Sequence, residues 1–144
     1  MKKQQMQPKR RGAAMVELAM ALPIFLLVLL GIIEFGRAMM VSQLITTAAR
    51  DAGRLAIMGR TTNAEVEQTV KDFLKVTLGV NAADVTVTIT VTTTGGGSGG
   101  DVFNAQQGDM CTVQVAVPFD KVSLIKGDYL DGKSLKGNCT MRHL

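Results

Sequence analysis

RRGAAMVELAMALPIFLLVLLGIIEFGRAMMVSQLITTAARDAGRLAIM, Arg10 to Met58, decides the architecture of this chain. A basic cluster ending at Gly12, an apolar run and an amphipathic continuation follow one another without a break. Ala13 to Ile33 is 21 residues with a single charge, Glu17. At 1.5 Å per residue a helix of that length spans roughly 31 Å, the hydrocarbon thickness of a bilayer. A soluble helix of this size needs a polar face, and Leu18 to Ile33 has none. The run therefore reads as a membrane segment. From Val41 the apolar residues fall at Val41, Leu44, Ile45, Ala48, Ala52, Leu55 and Ala56, with Gln43, Thr46, Thr47, Arg50 and Arg54 on the other face. This is the helical period, so the helix is expected to continue into water as far as Met58, about 69 Å in all.

Charge supports an oriented anchor. The chain has 16 basic and 12 acidic side chains, but Lys2, Lys3, Lys9, Arg10 and Arg11 all precede Ala13, and no acid accompanies them. Without those five the balance is 11 against 12, a net of −1, so the basic character belongs to the leader and does not argue for nucleic-acid binding. A basic cluster beside a membrane segment holds its end in the cytoplasm and sends the C-terminal part across. An ordinary secretory signal has a shorter apolar region followed by a small-x-small cleavage site. Here the run is longer, carries Glu17 near its start and is better placed for processing in front of it, between Gly12 and Ala13. An uncleaved signal anchor is the runner-up.

Gly12, Glu17 five places on, Leu22-Pro23, Gly31-Ile32-Ile33-Glu34-Phe35-Gly36-Arg37 and Ala48-Ala49-Arg50-Asp51-Ala52-Gly53-Arg54 together resemble the N-terminus of a type IV pilin-like subunit. Within that group the segment is similar to TadE, a minor pilin (pseudopilin) family of the tight-adherence, or Tad/Flp, pilus. The resemblance covers about a third of the chain. It implies that a prepilin peptidase cuts after Gly12, that Ala13 becomes the new N-terminus, and that Glu17 pairs with the free α-amino group of a neighbouring subunit as helices stack. A carboxylate at the bilayer centre costs about 2.5–3.5 kcal/mol, somewhat less near the interface. The competing account is that Glu17 simply snorkels to the headgroups. Pro23 removes the hydrogen bond to the Ala19 carbonyl and is expected to bend the helix, with a consequence for filament geometry or with none. Glu34 and Arg37, three apart, mark the expected exit from lipid.

The remainder, residues 59–144, is expected to be one exported α+β domain: a second helix and a three-stranded antiparallel sheet, pilin-like, with the long helix of residues 13–58 covering its core. Gly59 supplies a helix stop, Thr62 or Asn63 caps the second helix, Val66, Val70, Phe73, Leu74 and Leu78 form its apolar face, and Gly79 closes it. Strict alternation from Asp84 to Thr92 predicts a strand with Val85, Val87, Ile89 and Val91 inward. A second strand runs from Cys111 to Phe119, Lys121 to Leu130 is a loop or short helix, and a last strand spans Lys136 to Leu144. Gly95 to Gly100 satisfies G-x-G-x-x-G, but no helix follows to hold a pyrophosphate, so the segment is a hairpin loop or linker.

Cys111 and Cys139 lie in the exported part, where a disulfide would close a 29-residue loop and contribute roughly 3–4 kcal/mol in the chain-entropy picture. The alternative is a pair of buried thiols. The single histidine, His143, stands four residues from Cys139 and forms no metal-ligand cluster. The serines have no plausible His–acid set. No catalytic residue, cofactor or metal is expected.

Two functions from different classes remain. The first is an assembly subunit of the inner membrane, N-terminus cytoplasmic and domain periplasmic, whose partners are the prepilin peptidase, other pilin or pseudopilin subunits and the inner-membrane assembly platform. The second is an uncleaved, signal-anchored periplasmic or surface binding module, for which Glu17 would be dispensable.

Overall fold

The computed structural model describes residues 9–58, 61–123 and 132–143. Two helices and three strands make up its regular structure: α1 (Lys9–Ile57), α2 (Asn63–Leu78), β1 (Thr86–Thr92), β2 (Met110–Pro118) and β3 (Ser134–Arg142). Contacts divide the chain into two units, one ending at Gly36 and the other running from Arg37 to Leu144. The fold is a long N-terminal apolar helix with a second helix and a three-stranded antiparallel sheet, an α+β arrangement.

The first unit is the apolar part of α1. Its helix begins at Lys9 rather than Ala13 and runs through Gly12 and Pro23 without interruption. Every described side chain from Ala13 to Ile33 is exposed.

The second unit is a two-layer domain. The strands are ordered β1-β2-β3, with Ile89 opposite Val113 and Val113 opposite Cys139. Alternation puts Val91, Cys111, Val113, Val115 and Val117 into the core, where they meet Val41, Ile45, Ala48, Ala49, Ala52 and Ala56 of α1 and Val66, Val70 and Leu74 of α2. The part of α1 beyond Arg37 is thus a wall of the core. Its buried stripe differs from the expected one: Leu44 and Leu55 are half-buried, whereas Ala49 and Gly53 are fully covered. Small residues let the helix backbone lie close to the sheet. At Gly137 of β3 an added Cβ would stand 2.9 Å from both the N and Cα of Thr46. At Gly53 it would stand 3.4 Å from the Cys139 sulfur.

Helix α2 is delimited by its own sequence. Thr62 is the N-cap: its side chain accepts from the Glu65 amide while Glu65 Oε2 accepts from the Thr62 amide, a capping box. Gly79 ends the helix in the left-handed region, φ 69°, and donates to the Lys75 carbonyl. Asp101, 38 residues away in sequence, accepts from the Asn63 amide at 3.1 Å, and Asn63 Oδ1 accepts from the Val102 amide at 3.0 Å. This mutual clamp ties the end of the Gly-rich segment to the start of α2 and buries Val102. Phe73, expected on the apolar face, is 37% exposed because the buried stripe runs Val66, Val70, Leu74. The expected helix stop at Gly59, and most of the Lys121–Leu130 segment, lie outside the described residues. The part that is described forms a 3-10 turn, Phe119–Lys121.

Where β2 begins, Asp109 is buried and organises the corner. Its carboxylate accepts from the amides of Thr94 (3.1 Å) and Gln106 (2.9 Å), and its main chain pairs with His143. The Gln106 amide above all, with Thr94 beside it, holds this carboxyl below its ordinary value of 3.8, against the opposing effect of burial. A depressed folded pKa contributes stability that is complete above pH 3.8 and is lost as the pH falls through the lower folded value.

Two measurements check this description. Gly137→Ala should lower the domain's stability by about 1–3 kcal/mol, because helix backbone cannot yield as a side chain can, while Ala at the exposed neighbour Asn138 should leave the melting temperature nearly unchanged. Acid titration below pH 3.8 should destabilise the wild-type protein more steeply than Asp109→Ala, which starts less stable and lacks the titrating group.

Candidate assembly helix

The candidate site is the surface of α1 up to Gly36, where most of the exposed large hydrophobic side chains among the described residues lie. Met15, Val16, Leu18, Met20, Ile24, Phe25, Leu27, Ile32 and Phe35 are all more than half exposed, with the Leu, Val and Ile residues between them little less so. Each large aliphatic side chain left in water forfeits about 1.5–3 kcal/mol. A helix apolar on every side is stable only in lipid or among similar helices. Among the described residues one helix is long and apolar enough to cross a membrane, and it is this one.

Glu17 is the one charge in the apolar run and lies exposed on the helix surface. It follows Ala13 by four residues, so the two share a face about one turn apart. Apart from the helix's own neighbouring backbone, nothing stands within 4 Å of where a Cβ on Gly12 would be. The Gly12–Ala13 bond is nonetheless inside helix α1. A peptidase that cuts there must first unwind this end, and a helical glycine, about 1 kcal/mol less favourable than alanine, lowers that barrier. Pro23 lies within α1.

Beyond Gly36 the polar residues of α1 serve the domain. Arg37, expected with Glu34 to mark the exit from lipid, donates from Nε to the main-chain carbonyl of Val122. It thereby fastens the 3-10 turn after β2 to the helix. The signal for this role was absent from the sequence, since the partner is a carbonyl 85 residues away.

The two cysteines are free thiols on the same face of the sheet, Cys111 opposite Met141 and Cys139 opposite Val113. They are diagonal neighbours, a relation that sets Cα atoms about 7–8 Å apart, slightly beyond the reach of a disulfide without strand movement. Burial pushes the Cys111 thiol up, and Asp109 adds to this, so Cys111 is a poor nucleophile. Among the described residues no group of three or more His, Cys, Asp or Glu side chains is arranged to hold a metal.

Truncating the apolar surface checks its role: Leu26→Arg or Leu29→Arg should reduce recovery of the chain in the membrane fraction, an arginine at mid-span costing about 2.5–3.5 kcal/mol. The domain's melting temperature should not change.

Residues 12–54 match the family model described as TadE-like protein. No curated protein and no solved structure matches the chain. TadE-like proteins are pilus-associated and not known to be enzymatic, and the match begins at Gly12, spans the whole apolar run and ends within the stripe of α1 that lines the core. Through that helix, which is about a third of the chain, the protein is similar to the TadE-like protein family.

Proposed function

We propose that the chain is a minor pilin, or pseudopilin, of a Tad pilus, processed after Gly12 by a prepilin peptidase and taking part in pilus assembly and adhesion. The observation that carries this reading is the apolar surface of α1, exposed on all sides from Ala13 to Ile33 and interrupted only by Glu17. In the inner membrane that surface is covered by lipid, with the leader in the cytoplasm and the domain in the periplasm. In a pilus it is covered by the equivalent helices of other pilin subunits.

Cleavage after Gly12 removes the basic residues and creates an α-amino group at Ala13. The Glu17 carboxylate then meets an opposite charge, supplied by its own chain one turn away or by the neighbouring subunit. Pairing removes the cost of a lone carboxylate in lipid. The neighbour's amine is the partner that gives register, because one charge pair in an apolar seam fixes how far one helix slides along the next. The inner-membrane assembly platform is the partner that extracts the subunit. A periplasmic domain also places Cys111 and Cys139 in an oxidising compartment, where a bond between them requires the paired strands to draw slightly together.

N-terminal sequencing of the chain recovered from membranes tests the processing step. A mature start at Ala13 supports it, and an intact leader in a host with an active prepilin peptidase contradicts it. Glu17→Ala should still be cleaved but leave cells without pili; normal piliation would remove Glu17 from assembly. For the cysteines, alkylation under denaturing conditions without reductant should label neither thiol if the bond forms, and both if it does not.

A further inference from the structure

The hydrogen bonds at the end of β1 show which way its main chain faces. Gly99 donates to the Val91 carbonyl and Thr93 donates to the Gly97 carbonyl, making a bridge between Thr92 and Ser98. The peptide groups of Val91 and Thr93 therefore point away from β2. Because orientation alternates along a strand, those of Thr86, Thr88 and Thr90 point toward β2, and those of Val87 and Ile89 point outward. Strand β1 stands at the edge of the sheet, and the folded-back Gly97–Gly99 segment covers this edge only as far down as Val91. Among the described residues no main-chain group bonds to the window from Thr86 to Thr90 along this edge.

Exposed edges are commonly guarded by charge, proline or a bulge. This one carries none: no charged residue and no proline lies between Asp84 and Asp101. The other edge, β3, is guarded by Lys136 and Arg142. The open window is also self-complementary. Thr86-Val87-Thr88-Ile89-Thr90 laid antiparallel on itself about Thr88 puts Thr opposite Thr and Val87 opposite Ile89. The solvent-facing side of the sheet already uses such pairs: Thr90 faces Thr112, and the hydroxyls of Thr112 and Thr140 are 2.9 Å apart.

We propose that the edge of β1 is an interaction surface for a second copy of this chain, which pairs through its own β1, antiparallel and centred on Thr88, to join the two sheets into one. The Val87 amide and carbonyl exchange hydrogen bonds with those of Ile89 in the second copy, and the reverse pair does the same. The Gly97–Gly99 flap sets the register, because any slide past Thr90 collides with it. The threonine ladder continues across the junction. This pairing does not depend on processing at Gly12, so its test stands apart from that of the leader.

Full-length Thr88→Cys, held in membranes and oxidised with copper phenanthroline, reads the junction. At the symmetry centre the pair is of the non-hydrogen-bonded type, whose close approach suits a disulfide. A dimer band on a non-reducing gel is expected from Thr88→Cys, and neither from the unsubstituted chain nor from Asn138→Cys on the β3 edge. Thr88→Lys and Thr88→Glu, each also carrying Thr86→Cys and Thr90→Cys, which face one another across the junction, should lose that cross-link when either charge faces itself and regain it when the two are co-expressed. Absence of a Thr88→Cys dimer, equal cross-linking from Asn138→Cys, or failure of opposite charges to restore the link would overturn the proposal.

Discussion

One helix has to satisfy two environments, and the rest of the molecule follows from how its residues change along its length. From Ala13 to Ile33 helix α1 is apolar on every side but for Glu17, and its side chains are exposed among the described residues. From Val41 to Ala56 the same helix presents a stripe of Val, Ile, Ala and Gly to the core it shares with β2 and β3. The domain therefore begins inside the helix, at about Arg37, and includes its stretch from Val41 to Ala56. A chain cut between Ile57 and Thr61 would expose Val113, Val115 and Cys139 to water.

The packing between α1 and β3 is close because both sides gave up side chains. Ala48, Ala49, Ala52 and Gly53 flatten the helix, and Gly137 removes the last obstacle opposite Thr46. Large side chains contribute hydrophobic energy, but they also separate backbones; small ones trade that gain for dense contact. The domain's remaining corners are fixed by polar groups: Arg37 on the Val122 carbonyl, Asp101 with Asn63, and Asp109 with Thr94 and Gln106. Each fixes a loop beside the core, where Val102 and Val122 are also buried.

Much of this was legible before any coordinates. The alternation of Val85, Val87, Ile89 and Val91 with threonine fixed a strand and its inward face, and Thr62, Glu65 and Gly79 marked the ends of α2 by local chemistry. The apolar run spoke for itself. What escaped was whatever depended on a distant partner or on a missing side chain. Ala49 and Gly53 are buried, yet neither is hydrophobic enough to stand out in a periodicity dominated by Leu44 and Leu55. Gly137 reads as a weak point in a strand until Thr46 is seen against it. Phe73 was drawn into the core by its size, although its angular position on α2 lies off the line of Val66, Val70 and Leu74. Arg37 and Asp101 bond across long stretches of chain, and nothing local announces it. At the candidate site the sequence placed Ala13, Glu17 and Pro23 on one helix with Gly12 in the leader before it, whereas in the structure the helix reaches back through Gly12 to Lys9.

The central claim is that the first part of α1 belongs in a bilayer while the rest belongs to a folded domain. Alkaline carbonate extraction of membranes carrying the full chain tests it most directly, since it strips peripheral proteins and leaves spanning ones. The chain should remain in the pellet and should be released only by detergent. Quantitative release into the carbonate supernatant, with the domain still folded, would contradict the account.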